Sequence, residues 1–432
     1  CIMGKPMADY VKLPELEEYN QAWTKAMLES PFRAEFAEEF GDLMFVNAEL
    51  ALKTFSPEII PEMQQENELT QEYEKLLASA QIPFEGKVYT LSQLSPFKTC
   101  ADDEKRLAAW KAEGQWYKDN QAKFDELYDK LVKLRDAMGK KLGYEGYTTL
   151  GYYRMGRNCY TKADVEKFRA AVVKYIVPLA DSIYREQAGR LGKQYPMNAA
   201  DNALMFRSGN PRPAGDADAI LRQGKKFYEE LSPETGVFFN KMLDDQLMDV
   251  LSTPGKAGGG YCTGLGDYEM PFIFANFNGT QHDVEVVTHE AGHAFAAYMN
   301  RDRIPYSYVW PSMEACEVHS MSMEFFAWPW ADGFFGADAR KFRYSHLAGA
   351  LTFIEDREDV PDLVNAWLDG YRKVLPFTDT DFVEIDTFIL QRRIQMMAWM
   401  GSHQDSTPVQ GYMQGYMEGT MNLVERYLRL FG

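Results

Sequence analysis

Long helical runs constrain this chain most. Residues 102–139, from Asp102 to Gly139, are rich in Lys, Glu, Ala and Leu and read as one long helix. Residues 162–191 read as another, and Asp216 to Leu231 as a third. Ser232-Pro233-Glu234 places a capping hydroxyl before a proline and opens the next helix. Ser30-Pro31 and Ser56-Pro57 repeat that device, each before a long periodic segment. Strands are predicted in only two places. One is a small hairpin within residues 82–91, turning at Glu85-Gly86. The other is PFIFANF, residues 271–277, which alternates like a short strand after a glycine-rich run expected to be mobile. A helix is predicted from near Asp283. The fold class is therefore mostly α, with a small β element directly before that helix.

Composition bounds the rest. A hydrophobic content of 46% supplies a packed core, and no stretch approaches the ~20 uninterrupted apolar residues of a membrane span, so no membrane partner is expected. The 432 residues allow two to three domains or one large helical body. The formal charge of −18, from 64 acidic and 46 basic residues, argues against nucleic acid as a partner, because phosphates would be repelled. Five widely spaced cysteines, with no CxxC pair, indicate neither a disulfide framework nor a cysteine zinc knuckle. A cytoplasmic setting fits that pattern. The first residues lack the plan of a signal peptide, and a start at Cys1 is equally compatible with a fragment that has lost a leader.

The chemistry concentrates in His289-Glu290-Ala291-Gly292-His293. Residues four apart share a helix face, so His289 and His293 can aim two imidazoles at one ion. Glu290 is rotated by about a quarter turn and can reach the attacking water without becoming a ligand. This is the HExxH arrangement of zinc-assisted hydrolysis. The chain has six histidines, so the motif should arise by chance on the order of once in a hundred such sequences.

A catalytic zinc usually takes three protein ligands. Glu314, Glu317 and Glu324 lie downstream at spacings that project all three from one helix face, where a cation would relieve their repulsion. The residues alone leave the choice among them open. His319, two residues from Glu317, is expected to point elsewhere and to be structural, with lining the cleft as the equal alternative. Glu285, four residues before His289, is expected to accept from the non-ligating nitrogen of that ring, or to complement the helix N-terminus together with Asp283.

With these residues in hand, the chain resembles the M3 metallopeptidases of the oligoendopeptidase F type. The resemblance runs from near Ser30 to about Phe353 through GKAGGGYCT, PFIFANFNGT, HEAGHAF and EACEVHSMSMEFFAWPW. It implies a zincin-type helical body with a deep channel, one zinc ion, and short peptides as substrates. It also implies that His289 and His293 bind the metal with Glu317, the first glutamate of a Glu-x6-Glu pattern ending at Glu324. Glu290 is then the catalytic base. The implied division is a helical N-terminal part at 1–200, a zinc-binding core at 201–353 and an atypical helical segment at 354–432. Family members carry ~100 more residues before this start.

From about Glu355 the text instead resembles the C-terminal helices of aminoglycoside-phosphotransferase-like kinases. No glycine-rich nucleotide loop with a following lysine is visible, and Gln410 stands where His403-Gln404-Asp405 would need a metal-binding Asn. The peptidase family places a His and clustered Tyr residues in this lobe to stabilise the oxyanion. Tyr412 and Tyr416, four apart and with His403 nearby, could stand in for them, and helix packing is their plainer role. Two functions are thus expected in order: a zinc endopeptidase, in which the strand Pro271 to Phe277 pairs with extended substrate backbone and the glycine loop before it closes over bound peptide, and a zinc-binding helical protein crippled by its C-terminus. A small-molecule kinase is third.

Overall fold

The computed structural model describes residues 7–343 apart from 312 and 314, together with residue 423. Glu314, His403, Tyr412, Tyr416 and the kinase-like segment therefore lie outside the described residues. Within them the long helix spans Asp103–Lys141, and the Asp102 carboxylate caps it by accepting from the Lys105 N–H at 3.0 Å. The 162–191 run forms two helices, Lys162–Ala171 and Val177–Leu191, joined without a break by a π-turn at Val172–Ile176. Asp216 caps Ala217–Leu231, and Ser232 caps Pro233–Asp244. After Ser30-Pro31 the expected long segment is divided. A helix at Arg33–Phe40 stops at Gly41, whose φ of 84° is left-handed, and a second runs over Leu43–Ala51.

The hairpin forms as read. Strand β1, Ile82–Phe84, pairs antiparallel with β2, Lys87–Tyr89, and both turn residues take positive φ. The second sheet is larger than expected. It contains β3 (Met248–Leu251), β4 (Tyr261–Leu265) and β5 (Met270–Phe277) in the order β3-β5-β4. Strand β3 runs parallel to β5, and β4 runs antiparallel to it. The PFIFANF strand is thus central and buried at nearly every position, so it does not alternate. A strand covered on both faces loses the polar half of the pattern.

The helix Gln281–Met299 follows β5 at once and carries the HExxH residues. Asp283, 2% exposed, fixes the junction by accepting from the backbone N–H groups of Asn278 and Gly279. The helix is sunk into the main apolar cluster with Phe227, Phe238, Phe239, Ile273 and Phe335. The buried Tyr228 hydroxyl donates to the Val287 carbonyl at 2.9 Å. On another side lies the helix Glu317–Phe326, and the two approach closely at Gly292. A Cβ there would sit 2.7 Å from the Ser320 Cα and 3.0 Å from the His319 carbonyl oxygen.

Gly292→Ala should therefore push the two helices apart. We expect a net loss of about 1–3 kcal/mol in stability, the usual cost of overpacking. Chemical denaturation checks this, and a wild-type midpoint would show that the helices have room to spare.

Candidate metal centre

His289 and His293 project from one face of their helix toward the first turn of the helix Glu317–Phe326, with ring centroids 5.0 Å apart. Glu317 Oε2 lies 3.0 Å from His289 Nε2 and 3.4 Å from His293 Nε2. Donor atoms bound tetrahedrally at zinc distances stand about 3.3 Å from one another. Two of the three separations are close to that value and all three lie within 4.8 Å, so the two-imidazole, one-carboxylate set could hold a single zinc-sized ion. Among the described residues this is the only group of three or more His, Cys, Asp or Glu donors that could share a metal.

The two glutamates of the Glu-x6-Glu pattern take different places. The Glu317 side chain is 51% exposed and turns to the open side of the cluster. Glu324 is 8% exposed, and its Oε1 lies 2.6 Å from His289 Nδ1, on the far side of the ring. That arrangement corrects the expectation for Glu285, which instead meets Gln281 and His282 on its own helix. The reason is the ring's direction. With Nε2 facing Glu317, Nδ1 faces the second turn of the same neighbouring helix, away from the preceding turn of its own. The spacing of seven between the two glutamates was the available signal, since it places them two turns apart on one face.

His319 is also corrected. Its Nε2 is 3.0 Å from His293 Nδ1, and the two rings meet edge to face. It turns inward because Gly292 lets its backbone approach the HExxH helix. Each imidazole of the pair thus has an outer partner on the same neighbouring helix.

Electrostatics prepare His293 and Glu317 for a metal and oppose it at His289, whose extra proton an ion would have to displace. Burial drives the His293 pKa down to about 4, which keeps the ring neutral. Burial also opposes charge on His289, but Glu324, Glu290 and Glu317 outweigh it and raise that pKa. Burial works against ionised Glu317, yet the Ser320 hydroxyl and the two imidazoles hold its carboxyl below the usual range. Glu290 is raised, first by burial and then by Glu317. A carboxylate with a raised pKa beside the cluster suits proton exchange better than ligation.

The backbone N–H of Cys262, on β4, faces the Glu290 carboxylate. Among the described residues β4 is one edge of its sheet, the one beside the cluster, whereas β5 is already paired on both sides. The glycine run before it is anchored as well. Lys256, whose side chain is 5% exposed, donates to the Asp249 and Leu251 carbonyls and to the Asp249 carboxylate. Asn276 Nδ2 donates to the carbonyls of Ala257 and Gly259. These bonds tie the glycine run, expected to be mobile, to β3 and β5.

A mostly helical body, a small mixed sheet and a buried HExxH helix define a zincin-like peptidase fold. The comparisons agree. The pattern of peptidase family M3 matches residues 226–335, and that of the M3 N-terminal domain matches residues 10–55. A candidate oligoendopeptidase F solved by X-ray crystallography is 39% identical, covering 98% of this chain and 76% of that one, with a TM-score of 0.77. Another, from Bacillus anthracis, is also 39% identical, covering 97% and 80%, with a TM-score of 0.77. PZ peptidase A, solved with an inhibitor, is 39% identical over 98% and 74%, with a TM-score of 0.76. A search of curated proteins returned no match. The chain belongs to peptidase family M3 and is oligoendopeptidase F-like. Among the described residues no helix is long and apolar enough to cross a membrane.

Proposed function

We propose that this chain is a zinc-dependent endopeptidase acting on short peptides, with His289, His293 and Glu317 as ligands of one ion and Glu290 as general base. The catalytic core is assigned to residues 201–353 and the helical N-terminal part to 1–200. The observation that carries the reading is the convergence of three donor side chains within 4.8 Å of one another, beside a carboxylate that stands outside the donor set. When bound, zinc supplies polarisation of the scissile carbonyl and acidifies the attacking water. Glu290 accepts that water's proton and passes it to the leaving amine. Glu324 holds the His289 ring in the tautomer that presents Nε2. The edge of β4 pairs with extended substrate backbone, a role that β5 cannot take. Recognition through main-chain bonds makes side-chain selectivity loose.

A quenched fluorescent peptide, assayed with and without chelator, tests the reading. We expect cleavage by the zinc-loaded protein, loss on chelation and recovery on adding zinc. Zinc bound at one per chain with no cleavage of any peptide would leave a metal-binding protein and end the enzyme reading.

A further inference from the structure

We propose that His319 is a positioning residue, which fixes the His293 imidazole as a metal ligand by accepting its Nδ1–H on Nε2. The inference rests on the zinc reading above and extends it to a second helix position. A neutral imidazole has one protonated nitrogen and one acceptor. If His293 offers Nε2 to an ion, its hydrogen must sit on Nδ1. The acceptor placed there is His319 Nε2, at 3.0 Å. His319 must then carry its own hydrogen on Nδ1, so the metal fixes both tautomers in series.

The surroundings leave little freedom for another arrangement. The Gly292 contact holds the His319 backbone against the HExxH helix. Ser320, the next residue, is fully buried, and its hydroxyl donates to Glu317 Oε2 at 2.8 Å. One short segment thus supplies the third donor at 317, orients it from 320 and orients His293 from 319. The choice of imidazole at 319 also has an electrostatic reason. Glu290, Glu317 and Glu324 already bring three carboxylates to the site, and a fourth beside His293 would add repulsion. A neutral ring accepts the hydrogen bond without adding charge.

The test uses the full chain and zinc itself. Zinc affinity is measured by competition with a chromophoric chelator for wild type, His319→Leu and His319→Gln. Leucine keeps bulk but cannot accept, whereas the glutamine amide oxygen reaches the position of Nε2. We expect His319→Leu to bind zinc about 10- to 100-fold more weakly, the usual effect of losing an outer partner. His319→Gln should recover most of the affinity. The visible spectrum of the cobalt-substituted protein should shift in His319→Leu and stay near wild type in His319→Gln. Nitrogen-15 spectra of the histidine-labelled wild type, zinc-loaded, should show His319 with its hydrogen on Nδ1, assigned by its loss in His319→Gln. That last measurement stands even where the leucine variant does not fold.

Equal affinities in all three proteins, equal losses in both variants, or a hydrogen on His319 Nε2 would overturn the role. A wild type that takes up no zinc would fail one step earlier, on the zinc reading itself.

Discussion

Glu290→Gln should keep one zinc per chain and lose about 10²- to 10⁴-fold in kcat/KM, the range attributed to a positioned general base. The amide matches the carboxylate in size and can still accept from the Cys262 N–H, so the pocket keeps its shape. It cannot take a proton from water. Glu290 lies outside the donor group of His289, His293 and Glu317, so its charge is not needed to hold the metal. Metal content by atomic emission and cleavage of a fluorescent peptide, measured on one preparation, separate the two effects. If zinc disappears together with activity, Glu290 is a ligand. If activity persists, the proton acceptor is elsewhere.

The second large effect is expected from His289→Ala, which should leave the protein without bound zinc after dialysis and reduce cleavage to the level of chelated wild type. Both nitrogens of this ring are engaged, Nε2 toward Glu317 at 3.0 Å and Nδ1 toward Glu324 at 2.6 Å. Removing it takes one of three donors and also strips the buried Glu324 carboxylate of a hydrogen-bond partner, which costs about 1–3 kcal/mol in stability. Circular dichroism separates metal loss from unfolding. Zinc content equal to wild type in a folded His289→Ala protein would remove this ring from the metal site.

The fold and the site were legible in the sequence to different depths. Helices announce themselves locally, through periodicity and through caps such as Asp102 and Ser232, and those elements form as read. The pair His289 and His293 was equally legible, because a spacing of four on one helix is a local geometric fact. The hidden parts depend on distant neighbours. Strands β3 and β4 lack a pattern of their own and exist because β5 offers both edges. Glycine content suggested a mobile loop, but Lys256 within it bonds to β3 and Asn276 on β5 bonds to its carbonyls, contacts that no local pattern reveals.

The sequence alone determined a mostly helical chain with two imidazoles aimed from one helix face beside a carboxylate, since residue spacing and backbone geometry suffice for that. Only the tertiary structure decided that Glu324, and not Glu285, meets His289, that His319 meets His293, and that among the described residues β4 is the sheet edge beside Glu290. The physical reason is that hydrogen bonds between elements depend on how closely two helices approach and which way each ring turns. At Gly292 that approach is set by a missing side chain, whose effect appears only once the second helix lies against it.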